Sequence, residues 1–412
     1  MKNKKPTRSK LTVLNQLCKY IPEYLVPKIA RKYQINKQAR SFTAWSHVVS
    51  MLFAQLSHSF GLNDVCDTLK HHQGVLSSIR GAFAPSKNAL SHANKIRDSN
   101  LAKDLFWETL KHLQTTHPKF GMGQNFKGFP RRFKKVINVV DSTTIKLVAN
   151  CMDWAKHRRR KAAAKCHMRL DLKTFLPKFA IVGPAKDADD KRAREICADV
   201  QDGEIVVFDR AYVDFEHLFD LESRGVSWVT RAKRNMSYRV VKECQKQSTN
   251  TILRDDLILL KPKKSKKNYS KKLRRVEAKV EIDGKEMIMV FITNNLDWAP
   301  SSVCDLYKSR WQIEIFFKQI KQTLKLCDFL GHSSNAVHWQ IWSALLLYVL
   351  LRYQAYLSKW NHSFMRLFGL IRGIIWDRFD LQDLLKFYGT AGRLFKWRPP
   401  PLQPYLPGFS DT

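Results

Sequence analysis

Apolar and polar positions along this chain follow two periods, and the change between them comes between about residues 120 and 136. Before it, apolar residues recur every three to four positions, which is the spacing of one buried helix face. Leu11 to Tyr24, Val26 to Tyr33, Phe42 to His58, Leu62 to His71, Lys87 to Arg97 and Leu101 to Leu113 all carry that spacing. Ser86 is placed to cap the fifth of these helices, SKNALSHANKIRD. The fourth and fifth helices, separated by a glycine-containing connection, read as a helix-turn-helix variant with Lys87, Ser91, Asn94, Lys95 and Arg97 toward DNA. The connection is longer than the usual short turn, so a plain helical bundle accounts for the pattern equally well.

From Thr115 to Lys135 glycine, proline and charge displace the periodicity, and a linker is expected. Then Val136–Val140 forms a compact β-branched run that ends in Asp141 and continues as DSTTIKL. A basic segment follows, with Lys156, Arg158, Arg159, Arg160, Lys161 and Lys165, and two strand-like pieces, Lys165 to Leu172 and Lys178 to Val182. A helix over Asp190 to Val200 leads to the strand Glu204–Phe208, which ends in Asp209. A helix, Phe215 to Ser223, and a strand, Val226 to Thr230, come next. This order fits a mixed α/β sheet in which a meander is followed by parallel crossovers. The first and fourth strands can then lie side by side, bringing Asp141 and Asp209 together near their carboxyl ends.

Arg231 to Thr293 reads as a β-rich insertion whose lysine-dense segment, KPKKSKKNYSKKLRR (Lys261 to Arg275), projects into solvent as a loop. After it comes SVCDLYKSRWQIEIFFKQIKQTLKL, Ser302 to Leu326, which lacks proline and glycine. Read as one helix at about 100° per residue, it gathers Tyr307, Arg310, Glu314 and Lys321 within roughly 60°, with Lys318 and Lys325 beside them. Leu306, Ile313, Phe317, Ile320 and Leu324 fill the adjoining arc. A solvated charged face beside a core stripe explains that pattern, and so does a working edge held against a sheet. Trp339 to Tyr356 is a second buried helix, and the tail from Trp397 is proline-rich and irregular.

Composition narrows the choice. Hydrophobic residues are 44% and aromatics 11% of 412 residues, which suits two or three folded domains rather than a disordered basic tail. The formal charge of +36 calls for an anionic partner, with nucleic acid first and an acidic membrane surface second. The longest apolar run, Ile341 to Leu351, is about half of what a membrane span needs. No signal-peptide core follows the basic N-terminus, so a cytoplasmic protein is expected, nucleoid-associated when bound to DNA. The eight cysteines contain no CxxC pair, which argues against a zinc knuckle or a disulfide framework.

Two strand-end aspartates and a helix glutamate in so basic a chain are the ingredients of two-metal phosphoryl chemistry. Crowded carboxylates repel one another, and magnesium, a hard ion that prefers oxygen, relieves the repulsion. Each aspartate alone is more simply a turn or cap residue. The order strand-Asp, strand-Asp, helix-Glu favours the metal reading.

Tyr307, Arg310, Glu314 and Lys321 spell Tyr-x2-Arg-x3-Glu-x6-Lys, and VVDSTT and FDRAYVD surround the two aspartates. Together these resemble the signature of bacterial insertion-sequence transposases of the DDE type, in the family conventionally numbered four. Leu11 to Asp98 is similar to the helical DNA-binding domain of one branch. The resemblance implies a ribonuclease-H-like mixed sheet flanked by helices, interrupted by a β-rich insertion and preceded by an all-α domain. It implies two Mg²⁺ ions, replaceable by Mn²⁺, on Asp141, Asp209 and Glu314, with Tyr307, Arg310 and Lys321 on the DNA backbone. Lys318 and Arg210, with the tracts around Arg158, Arg159 and Arg160 and around Lys263, Lys264, Lys266 and Lys267, are the further expected phosphate contacts. Characterised relatives flip a base onto a tryptophan, and Met289 falls about where that tryptophan would be. The expected partners are double-stranded DNA, as inverted ends and as target, and a second copy of the chain. The expected divisions are 1–120 helical, 121–135 linker, 136–230 and 294–358 catalytic core, 231–293 insertion, and 359–412 helical to irregular. A transposase-derived DNA-binding protein without catalysis and a ribonuclease-H-like nuclease are the competing readings.

Overall fold

A computed structural model of the protein describes residues 6–35, 41–121, 133–147, 151–158, 161–185, 189–244, 251–282, 285–323 and 329–389. Most of the expected linker, Arg159, Arg160, Leu324, Lys325, Cys327 and the proline-rich tail lie outside these residues, as does the Arg158 side chain.

The N-terminal region is helical, as its periodicity requires. Its helices are α1 (Val13–Cys18), α2 (Leu25–Lys32), α3 (Ala44–Ser57), α4 (Leu62–His71), α5 (Gln73–Leu76), α6 (Lys87–Ile96), α7 (Asn100–Thr116) and α8 (Pro118–Gly121). Thr12, Thr43 and Ser86 cap α1, α3 and α6 through their hydroxyls, each accepting an N–H at the third helical residue.

One mixed sheet of ten strands runs through the rest. In chain order its elements are β1 (Ile137–Leu147), α9 (Met152–Ala155), β2 (Lys156–Arg158), β3 (Lys161–Asp171), β4 (Leu176–Pro184), α10 (Asp189–Ile196), β5 (Ile205–Phe208), α11 (Phe215–Ser223) and β6 (Ser227–Arg231). The expected insertion supplies β7 (Tyr238–Glu243), β8 (Ile252–Leu260), α12 (Lys263–Asn268), β9 (Leu273–Ile282) and β10 (Lys285–Thr293). The spatial order is β2-β3-β1-β5-β6-β10-β9-β8-β7, with β4 on β3. β10 pairs antiparallel with β6, so the insertion extends the central sheet and is not a separate β unit. The lysine-rich segment expected as a loop forms α12, pinned by buried Tyr269, whose hydroxyl donates to Glu222.

β1 and β5 are parallel neighbours in the register Val139↔Val207, Val140↔Phe208. The central strands are buried on both sides, which is why their paired segments read as mostly apolar runs. Val139, Val207 and Val229 pack on one face, and Val140, Val206 and Trp228 on the other. Residues of α10 and α11 cover the second face. Over the first face lie α13 (Pro300–Ser309), α14 (Trp311–Lys318) and α15 (Ser334–Leu357), followed by α16 (Phe364–Gly373) and α17 (Leu381–Gly389).

The stretch expected as one helix is therefore two helices and a π-helical turn, Gln319–Thr323. At the junction Arg310 N–H donates to the Tyr307 carbonyl and Ile313 N–H to the Arg310 carbonyl, so the ladder tightens to three-residue spacing.

α15 is apolar all round because it is sandwiched, with α3 and α7 on one side and the sheet face on the other. Asn335 donates to the carbonyls of Asn94 and Arg97, and Trp339 also donates to Arg97. Asn94 is buried against His47, and the Arg97 guanidinium donates to the carbonyls of Phe42 and Thr43. Those two residues hold the bundle on α15 and do not face outward as the helix-turn-helix reading required; Lys87, Ser91 and Lys95 are exposed. Among the described residues the helical region and the sheet thus share one core. No helix among the described residues is long and apolar enough to cross a membrane.

Candidate active site

Asp141 lies where β1 parts from β5. The pairing of those strands ends at Val140↔Phe208, so the next residue on each is an aspartate. β1 itself continues to Leu147 beside β3, so Asp141 is inside the strand and not at its end. Asp209 begins a 3-10 turn, Arg210–Tyr212, and its carboxylate accepts the Ala211 N–H at 3.0 Å.

The helix pair approaches from the opposite layer. Leu306, Ile313, Phe317 and Ile320 are buried, so the apolar arc does face the core. That burial turns Arg310 and Glu314, four residues apart, toward Asp141. Arg310 Nη1 donates to Asp141 Oδ2 at 2.6 Å, and Nη2 donates to Glu314 Oε1 at 2.7 Å. Asp141 Oδ1 takes the Ser142 N–H at 2.7 Å. Tyr307 is buried with its ring 4.9 Å from that of Phe291 and 5.7 Å from the Arg310 guanidinium carbon.

Burial pushes the Asp141 carboxyl up to about 6; Arg310 and the Ser142 N–H oppose the rise, and the charges of Asp209 and Glu314 add to it. Burial disfavours the Arg310 charge, but Asp141, Glu314 and Asp209 outweigh it and the guanidinium stays firmly protonated. All three carboxylates therefore act within one electrostatic neighbourhood. Among the described residues no three carboxylate, histidine or thiol groups are already closed into a metal cage. A cation is nonetheless held among these oxygens: the Arg310 guanidinium. The donor set, hard carboxylate oxygens already neutralising a positive charge, fits a magnesium-class ion.

Around this centre, Lys321 sits in the π-helical turn, where burial lowers its pKa and the nearby Lys146 charge lowers it further. Lys318 and Arg210 are exposed. Lys263, Lys264, Lys266 and Lys267 are exposed on α12, which lies against α11 on the opposite face of the sheet from α13 and α14. Met289, expected to stand in place of a base-stacking tryptophan, is buried.

Several residues near the site were not singled out by sequence. Trp311, next to Arg310, is 48% exposed, and on the helical projection it falls beside Tyr307 and Lys318. On the reverse face, Asp189 accepts from Ser142 Oγ and Lys165 Nζ, both at 2.8 Å, and lies 3.4 Å from His167 Nδ1. That His167 nitrogen is 3.1 Å from the Tyr212 hydroxyl. Burial pushes Asp189 up, but Lys165, Ser142 and His167 outweigh it, so its carboxyl lies below the usual range. This group ties together the residues that follow Asp141 and Asp209. Lys165, at the end of the basic tract, is thus paired with an acid of this chain. The only available signal was strand parity, which puts Ser142 on the opposite face from Asp141.

Comparison with known proteins gives matching indications. Residues 132–350 match a family model described as a transposase DDE domain, and residues 9–79 match a domain of unknown function, DUF4372. A transposase-named protein of Sinorhizobium fredii, y4zB, is 29% identical over 291 residues, covering 69% of this chain and 76% of its own. A transposase-named protein of insertion sequence element IS5377 from Geobacillus stearothermophilus is 29% identical over 223 residues, 54% of this chain and 57% of its own. Transposase InsG for insertion sequence element IS4 of Escherichia coli is 24% identical over 195 residues, 45% of this chain and 42% of its own.

Proposed function

Because the matched model spans more than half of the chain, the protein belongs to the transposase DDE-domain family, and from that premise we propose that it cuts its own element's inverted ends and joins them to target DNA. It is a DDE transposase, a metal-dependent polynucleotidyl transferase by family. The core is read as ribonuclease-H-like, with Asp141, Asp209 and Glu314 as the metal ligands. The observation that carries this reading is the Arg310 guanidinium held between Asp141 and Glu314, with the charge of Asp209, just past the end of the neighbouring strand, acting on it too.

Two magnesium ions on these carboxylates would supply an activated oxygen nucleophile and stabilise the departing 3′-oxygen. The chain's own residues do the rest. Asp141 sits on a strand and Asp209 caps a tight turn, so both carboxylates are aimed by backbone that the sheet fixes. Glu314 arrives on a helix anchored by Ile313 and Phe317. Tyr307, Arg310 and Lys321 bind the phosphodiesters of the strand to be cut, with Lys146 and Lys318 adding positive charge at the rim. Trp311 offers an exposed ring on which an unstacked base can rest. Two copies of the chain pair the two ends. The exposed lysines of α12 meet a more distant stretch of backbone, since they lie on the other face of the sheet.

The test uses duplexes copied from the DNA bordering the gene, incubated with Mg²⁺ and the full chain. Asp141→Ala, Asp209→Ala and Glu314→Ala should each reduce cleavage and joining to background while end binding persists. Strand transfer that survives any one of them removes that residue from the metal site.

A further inference from the structure

The position between Asp141 and Glu314 is filled by the protein itself. We propose that Arg310 is a built-in competitor for the divalent ion, a side-chain cation that neutralises these carboxylates until metal displaces it. The proposal rests on the reading of Asp141, Asp209 and Glu314 as metal ligands.

Three features of Arg310 carry it. First, its two terminal nitrogens are divided between carboxylates on different elements, Asp141 Oδ2 at 2.6 Å and Glu314 Oε1 at 2.7 Å. With Ser142 N–H on Oδ1, both Asp141 oxygens are engaged. A divalent ion entering between the same carboxylates would face a full positive charge within a few ångströms, least screened on the Asp141 side, where both partners are largely buried. Guanidinium and metal therefore exclude one another. Second, Arg310 Nε is buried without a hydrogen-bond partner among the described residues. The side chain is thus not fully satisfied where it rests, and a position that engages all of its donors would compete well. Third, Arg310 sits at the junction of α13 and α14, where the helical ladder tightens, and not in the middle of a regular turn.

The consequence is a DNA-free protein whose metal site is closed by its own charge. Once displaced, the guanidinium is an unpaired cation beside the carboxylates, and a phosphate oxygen is the partner that its planar donor fork matches. Linkage then requires metal and phosphate to favour each other's binding.

The experiment is Mn²⁺ titration of the full-length, DNA-free protein, followed by the electron paramagnetic resonance signal of the free ion. Arg310→Gln should tighten Mn²⁺ binding on the order of tenfold. Arg310→Lys should fall between Gln and wild type, because one ammonium reaches one carboxylate at a time; it decides the matter if circular dichroism shows the Gln variant unfolded. Asp141→Asn, run in parallel, should weaken Mn²⁺ binding. If Asp141→Asn weakens binding but neither Arg310 variant tightens it, the competition is overturned while the metal site stands. If Asp141→Asn leaves Mn²⁺ binding unmoved, the metal-ligand reading fails, and the competition with it.

Discussion

Arg274 and Arg310 are each paired with an aspartate, and they differ in how their donors are used. Arg274, on β9, meets Asp255 of β8 with both ends of its fork, Nε to Oδ1 at 2.8 Å and Nη2 to Oδ2 at 2.7 Å. Its remaining terminal nitrogen donates to the carbonyls of Leu296 and Trp298. Those bonds tie neighbouring strands to the loop before α13, and the donors are nearly all used. Arg310 makes one bond to each of two carboxylates and leaves Nε without a partner among the described residues. The first arrangement fastens the sheet. The second holds a charge in place with bonds that another cation could replace.

The largest expected effect separates the two in stability. Arg274→Met leaves Asp255 buried and unpaired, and should cost about 3–5 kcal/mol in urea unfolding. Arg310→Met should cost much less, because Asp141 can take up a proton; equal losses would show that Arg310 is a structural fastening too.

A second test uses pH. The folded Asp141 carboxyl stays protonated up to about 6, against an ordinary value near 3.8. Between those values the folded chain binds more protons than the unfolded one. This contribution to stability is therefore present at low pH and lost as pH rises through about 6. Urea midpoints should show that fall in the wild type, and Asp141→Asn should flatten it. The same proton must leave before a metal can bind, so Mn²⁺ affinity should rise from pH 5 to 7 with proton release.

The smallest effect concerns charge far from the carboxylates. Replacing Lys263, Lys264, Lys266 and Lys267 with Gln should leave Mn²⁺ binding unchanged while lowering the salt dependence of DNA binding, by up to about 0.9 in the log–log slope per lost phosphate contact. A change in Mn²⁺ affinity would mean that the two faces of the sheet are electrostatically coupled.

Much of this architecture was legible in one dimension. Helical spacing located α4 at Leu62–His71 to the residue and α3 and α6 to within two. The apolar runs before Asp141 and Asp209 marked strands that are buried on both faces, and parallel pairing of the two was expected from their order. Arg310 and Glu314 fall on one helix edge by arithmetic alone. The interruption of that helix at Arg310 and at the π turn was not legible, because no proline or glycine marks either place. Nor was α12: six residues dense in lysine have no apolar period, and their helix is held by Tyr269 against α11.

By itself, then, the sequence determined the periods and the caps, which are set by neighbours a few residues apart. It also determined the order strand-Asp, strand-Asp, helix-Glu and the excess of positive charge, which are read from the order and count of residues. Tertiary structure alone decided which charges meet. Asp141 and Arg310 are 169 residues apart in the chain, and no local rule relates them. Lys165 and Arg310 carry the same charge in the sequence, yet Lys165 is spent on Asp189 behind the sheet and Arg310 lies among the acids in front of it. Ion pairs form across whatever space the packed layers leave, and the packing of α13 and α14 on the sheet brought this cation and these carboxylates together.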